Sequence, residues 1–194
     1  MNKSYGDLTN CAAAHYCGPI DTLYIGSAID QSVGFMECFE ELGEAVLKAD
    51  EKIVIFNPLT AYINAKNAKT PEQLLFVKYL NETAISKSQA AAFAWRNQPS
   101  FGVPVEIDYF ARAKKPFFVC NMSGKNLGLY LRSAVEESLG FVSTDLDTMS
   151  IQVKAYNTLA NNGALADKAI HQVKAEVEKI VKLEMEKSKG EASE

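Results

Sequence analysis

The sequence predicts a doubly wound α/β domain: a five-stranded parallel sheet with helices on both faces and one more helix at the carboxyl end. Two observations carry this. Short, continuously apolar runs recur along the chain, as strands buried on both faces require, and they close on small or turn-forming residues such as Gly26-Ser27 and Asn57-Pro58. Between them, apolar residues return every three or four positions, the period of a helix with one buried face.

The first strand runs from Thr22 to Ile25 and ends at Gly26 and Ser27. A helix follows, with Val33, Met36, Phe39, Leu42, Val46 and Ala49 on one side and Glu37, Glu40, Glu41 and Lys48 on the other. Lys52 to Phe56 is the second strand, ended by Asn57-Pro58, a turn-forming pair that disfavours continuation. Leu59 to Lys69 reads as a loop. Thr70 is an N-cap with Pro71 in the first turn, launching a helix through Leu74, Leu75, Val77, Leu80, Ala84 and Ile85. Gln89 to Trp95 is the third strand, Arg96 to Gly102 a polar turn, Pro104 to Lys114 a helix, and Pro116 to Cys120 the fourth strand. Asn126 to Leu139 reads as helix, Phe141 to Ser143 as a short fifth strand, and Asp145 to Ala160 as helix. After Gly163 a last helix carries Ala166, Ile170, Val173, Val177, Ile180 and Leu183 on a stripe that packs on the domain or on another subunit. Residues 1–20 have no period and read as an arm that is flexible or docks on a partner. The expected organisation is therefore an arm at 1–20, a domain at 21–162, and a helix with a charged tail at 163–194.

Composition narrows function by exclusion. A net charge of −4 with scattered Lys and Arg makes no basic surface for polymeric nucleic acid. No apolar run approaches the roughly 20 residues that cross a bilayer, and Met1 to Asn10 lacks a signal layout, so no membrane partner and a cytoplasmic location are expected. Cys11, Cys17, Cys38 and Cys120 form no CxxC pair, and only His15 and His171 exist to complete a metal set, so reduced thiols and no metal site are expected.

The segment richest in chemistry is Asn97 to Tyr109, NQPSFGVPVEIDY. Gly102 permits close backbone approach, Pro104 sets a first helical turn, and Glu106 stands in that turn beside Val105 and Ile107. Free N–H groups and the helix dipole there favour an ionised carboxylate, which a glycosidic reaction uses to attack the anomeric carbon or to stabilise its cationic transition state. The same placement also suits a plain surface glutamate that complements the dipole. Tyr24 reads either as a core aromatic or as a hydroxyl bonded to Glu106, and Trp95 and Phe35 either as packing or as stacking partners for a base.

The chain resembles the nucleoside 2-deoxyribosyltransferases and their relatives, the 2'-deoxynucleoside 5'-phosphate N-hydrolases. The likeness rests on LYIGS with Tyr24, Gly26 and Ser27; on Asn81, Ile85 and the following strand; on GVPVEIDY, where Glu106 falls on the family nucleophile; and on KKPFFV. It implies a flavodoxin-like fold, a nucleotide or nucleoside as small-molecule partner, no cofactor, and a homodimer or higher homo-oligomer that completes its pocket across an interface. It also implies catalytic roles for Glu106 and Tyr24, and substrate contacts at Gly26, Ser27, Ser100, Gly102 and Asn126. Ser100, in a QPS turn like that of the monophosphate hydrolases, stands where enzymes of free nucleosides usually have Asp, and a serine accepts a neighbouring phosphate without repelling it. Those hydrolases tend to carry an arginine soon after the loop serine; here Ala28, Ile29 and Asp30 follow, and Arg96 is the substitute cation. The departure that matters most is Asn81, where the family has an aspartate, because an amide cannot act as a general acid. Glu82 takes that role, or solvent protonates the leaving base, or the pocket binds without turnover. The implied activity is N-glycosidic cleavage of a nucleoside 5'-monophosphate, with base exchange between nucleosides and non-catalytic nucleotide binding as alternatives.

Overall fold

A computed structural model of the chain describes residues 15–27, 35–96 and 102–191. Expectations for residues 1–14, Ala28 to Asp30, Val33, the Gln98-Pro99-Ser100 turn and the side chain of Phe35 lie outside the described residues.

The chain alternates β1 (Thr22–Ser27), α1 (Phe35–Ala49), β2 (Val54–Phe56), α2 (Leu59–Asn67), α3 (Pro71–Lys87), β3 (Ala90–Trp95), α4 (Gly102–Arg112), β4 (Phe117–Asn121), α5 (Leu129–Glu136), β5 (Gly140–Ser143), α6 (Leu146–Asn161) and α7 (Ile170–Glu191). The five strands form one sheet in the order β2-β1-β3-β4-β5, and each neighbouring pair is parallel. The order reverses between β1 and β3, the place where such sheets open a crevice at their carboxyl edge.

Central β3 is AAAFAW, and its first five residues are buried. Its alanines let helices approach both faces, which is why the run shows no polar alternation. On one face Phe39, Leu42 and Val46 of α1 meet Met149 and Val153 of α6 and Val173 and Val177 of α7. On the other, Tyr24, Phe93, Phe110 and Phe117 form a smaller aromatic core with Val103 and Ile107 of α4. Edge strand β2 is only three residues long, and its Val54 is exposed.

Several boundaries differ from the sequence reading. Residues 59–67 form α2 rather than a loop: the Asn57 side chain accepts from the Leu59 amide at 2.9 Å and the Pro58 carbonyl accepts from Tyr62, so the strand-ending pair also starts a helix. Helix α5 begins at Leu129, not Asn126, because Asn121, Ser123 and Lys125 close a side-chain-bonded turn around Gly124, whose φ is +65°. Residues 15–20, expected in the arm, pack on this domain: Tyr156 donates to the Tyr16 carbonyl, and Asn157 brackets both backbone groups of Ile20. The valine stripe of α7 packs against α6 within the main core, so the last helix covers its own domain. Helix α3 starts as expected, with Thr70 and Gln73 forming a reciprocal capping box ahead of Pro71.

Gly140 marks the tightest packing of sheet against helix. A methyl group there would sit 2.6 Å from the Phe117 ring and 2.8 Å from the Val135 backbone. Gly140→Ala is therefore expected to cost about 1–3 kcal/mol by overpacking, read as a lower midpoint in urea unfolding with an unchanged slope.

Candidate active site

Glu106 sits where an apolar residue belongs. On α4 it falls between Val103, Ile107 and Phe110, which are buried at 2%, 0% and 0% exposure, so the helix aims a carboxylate along its core-facing stripe. Helix α4 begins at Gly102, which places Glu106 beyond the first turn rather than among the free N–H groups expected around it.

The carboxylate meets β1 at its carboxyl end. The Tyr24 hydroxyl donates to Glu106 Oε1 at 2.9 Å. Gly26, two residues further along the same face, leaves room for the other oxygen: a methyl group there would stand 3.0 Å from Glu106 Oε2 and 2.7 Å from the Phe93 ring. The Tyr24 ring is itself buried, stacked on Phe110 and tilted against Phe93, so both readings of Tyr24 hold at once. The Asn81 side chain reaches the same hydroxyl from α3.

Burial raises the Glu106 carboxyl above its ordinary pKa, and the bond from Tyr24 opposes that rise only in part. The expected support from free N–H groups and the helix dipole is not met, since the group lies past the first turn, and burial instead shifts its balance toward the neutral form. The Tyr24 phenol is pushed far up by its own burial and by the neighbouring carboxylate, and stays a neutral donor.

Around this pair lies a cavity of about 250 Å³. Tyr24, Gly26 and Ser27 form its floor, Glu106 one side, Pro58, Ala61 and Tyr62 of the α2 region another, and Leu74, Val77, Lys78 and Asn81 of α3 the outer wall. A second cavity of about 150 Å³ adjoins it, sharing Tyr24, Pro58, Ala61 and Asn81 and adding Phe56, Asn57 and Leu80. The α2 wall and Lys78 were missed by sequence reasoning. Lys78 is one helical turn from Asn81, on the side toward the carboxyl edge of the sheet. It forms an exposed pair with Glu82 at 3.7 Å, an interaction worth only a few tenths of a kcal/mol.

The other expected residues are dispersed. Ser27 lines the cavity, but its hydroxyl lies 3.5 Å from Cys38 Sγ on the α1 side. Glu82 points to solvent, Gly102 is the exposed first residue of α4, and Asn126 is exposed in the β4–α5 turn; none of the three lines either cavity. Trp95 packs beside the aromatic core. Among the described residues no three His, Cys, Asp or Glu side chains are grouped to hold a metal, and no helix is long and apolar enough to cross a membrane.

Fold and cavity together define a flavodoxin-like α/β domain with a desolvated carboxylate–tyrosine pair at the carboxyl edge of its sheet. Among solved structures, the chain is similar to the 2-deoxyribosyltransferase of the psychrotolerant bacterium Bacillus psychrosaccharolyticus, with a TM-score of 0.56 over 66% of this chain and 90% of that one. Sequence identity between the two is 13%, so the likeness is one of fold. No protein-family model and no curated protein matches the chain.

The buried carboxyl has a consequence for stability. An acid whose folded pKa is raised leaves the fold most stable below the ordinary carboxylate pKa, and stability falls as pH rises through the folded value. Glu106→Gln removes that titration. The variant is expected to melt higher than wild type in mildly alkaline buffer, with the gap closing below about pH 4; a gap that does not change with pH would mean that Glu106 is well solvated.

Proposed function

We propose that the protein cleaves the N-glycosidic bond of a nucleoside 5'-monophosphate, with Glu106 as nucleophile. The observation that carries this is the Tyr24–Glu106 bond inside a cavity at the strand carboxyl ends. A carboxylate stripped of water and held by one neutral donor is activated toward an electron-poor carbon. The motif resemblance around Glu106 and a fold neighbour that is a 2-deoxyribosyltransferase favour the same chemistry.

In the proposed reaction a Glu106 oxygen bonds to C1' as the C1'–N bond breaks. The base leaves with the electron pair and takes a proton from water, because Asn81 has none to give. Water then attacks C1', freeing Glu106 and the sugar 5-phosphate and releasing a proton. Tyr24 keeps the nucleophile aimed, and Asn81 fixes Tyr24 in turn. For the phosphate, Lys78 supplies the cation at the cavity mouth. Ser27 lines the same cavity as Lys78, and Ser100 is assigned with it from its motif alone. The resemblance makes the functional unit a homodimer or a higher homo-oligomer.

Incubation with a panel of ribo- and deoxyribonucleoside 5'-monophosphates, beside the matching nucleosides, is expected to release free base from the monophosphates. Glu106→Ala should lower that rate by about a thousandfold or more. If nucleotides bind to both proteins and no base appears, the pocket is a binding site without turnover. A base supplied in excess and found on the sugar would instead mark base exchange.

Lys78→Ala is expected to raise KM for monophosphates about tenfold, the worth of one charge-assisted contact, and to leave nucleoside binding unchanged. Equal effects on both substrates would remove Lys78 from phosphate recognition.

A further inference from the structure

We propose that the nucleotide this site takes carries a cationic base, in the chemical class of pyridinium and N7-alkylated purine nucleoside 5'-monophosphates. The inference rests on the glycosidase reading and names its substrate class. A neutral base leaves C1' as an anion, and an enzymic acid that protonates it speeds departure by about a hundredfold to ten-thousandfold. A cationic base keeps the electron pair of the broken C1'–N bond, becomes neutral and takes up no proton. A Glu106 oxygen bonds to C1' as before; water then displaces Glu106 and gives its proton to solvent. The proton donors beside the leaving base therefore decide which class a site suits.

Among the described residues, the two cavities offer the base no acid. The hydrogen bonds run in one direction. An ionised Glu106 can only accept, so it takes the single Tyr24 proton at 2.9 Å. Asn81, bonded to that same hydroxyl, can then meet it only with an N–H, which leaves the amide oxygen as an acceptor on a residue lining both cavities. Glu82 lines neither cavity, the Ser27 hydroxyl lies against Cys38, and the Tyr62 hydroxyl oxygen is buried. Charge is sorted as well. Glu106 and Lys78 line the first cavity, assigned to sugar and phosphate, and the adjoining one is left for the base. Among the described residues no charged side chain lines that second cavity; its polar groups are the amides of Asn57, Asn64 and Asn81 and the Tyr24 phenol, set among Phe56 and aliphatic carbon. Aromatic rings and an amide oxygen attract a cationic ring, and the neighbouring Glu106 carboxylate attracts it too while repelling a departing anion. Asn57 spends its oxygen on the Leu59 amide, so it offers the base an N–H, a partner for a carbonyl substituent.

Base release by the full chain is compared, in mildly acidic buffer, for guanosine 5'-monophosphate and 7-methylguanosine 5'-monophosphate, which differ by one methyl group and one positive charge. Nicotinamide mononucleotide is the second cationic probe. Both cationic nucleotides should give a kcat/KM at least about a hundredfold above that of guanosine 5'-monophosphate, the gap that an enzymic acid would close by protonating N7 itself. Asn81→Asp places a proton donor beside the base and should narrow that gap by about tenfold or more, whereas a loss of structure alone would slow all three substrates alike. The wild-type comparison decides the matter if the variant fails to fold. Wild-type rates for the guanosine pair within about tenfold of each other overturn the proposal and keep the glycosidase reading. A folded Asn81→Asp protein that leaves the gap as wide as before also overturns it. No base from any of the three removes the glycosidase reading and the proposal with it.

Discussion

Helix α4 can bring a carboxylate onto β1 because Gly26 has no side chain. Any Cβ there would strike the Phe93 ring of β3 at 2.7 Å and crowd Glu106 Oε2 at 3.0 Å, so the ring and the carboxylate would have to shift. The rest of the site follows from that close approach. Val103, Ile107 and Phe110 pack into the aromatic core and fix α4, and Glu106 shares their stripe, so its direction is set by the same burial. Tyr24 lies two residues before Gly26 and therefore on the same face of the strand, which puts a hydroxyl within reach of the other carboxylate oxygen.

The energetics of this arrangement are unfavourable locally. A partly buried carboxylate has one neutral donor from Tyr24, and burial prevails over that donor in setting its proton affinity. The surrounding packing supplies the offset: Phe93, Phe110 and Phe117 are all fully buried around the pair, and each such ring is worth several times one hydrogen bond when taken from water. A carboxylate held against its own electrostatics by a rigid core, in a cleft, is the pattern that marks a candidate functional site.

Much of this was legible in the chain. Strands β1, β3 and β4 announce themselves as apolar runs too short for helices, and the Thr70-Pro71-Glu72-Gln73 start of α3 is chemically explicit. The carboxylate was legible too, though for the wrong physical reason: its motif pointed to it, while the dipole account failed because α4 starts two residues earlier than Pro104 suggests. The better signal was available, namely a charged residue at a buried-stripe position between Val103, Ile107 and Phe110. Helix α2 was not legible, because its apolar residues make no stripe and its start depends on the Asn57 side chain capping across a proline. Nor was the dispersal of Glu82 from the pocket, since one residue along a helix turns a side chain by about 100° and only the tertiary position of Asn81 decides which neighbour faces inward.

Helix α3 shows where local pattern and function meet. Its inner side needs polar Lys78 and Asn81 at the pocket, so it cannot be a continuous greasy stripe. A pocket wall built this way gives up the apolar area that would hold it on the sheet, and the helix ends with no buried residue at all. Left alone, such a segment belongs to the least stable part of a fold. Yet the Asn81 amide must stay within reach of the Tyr24 hydroxyl for the donor to stay aimed at Glu106. Apolar residues on the outer side, Leu75, Phe76 and Tyr79, stay exposed, so the helix is held only along the side that carries Leu74, Val77 and Ile85.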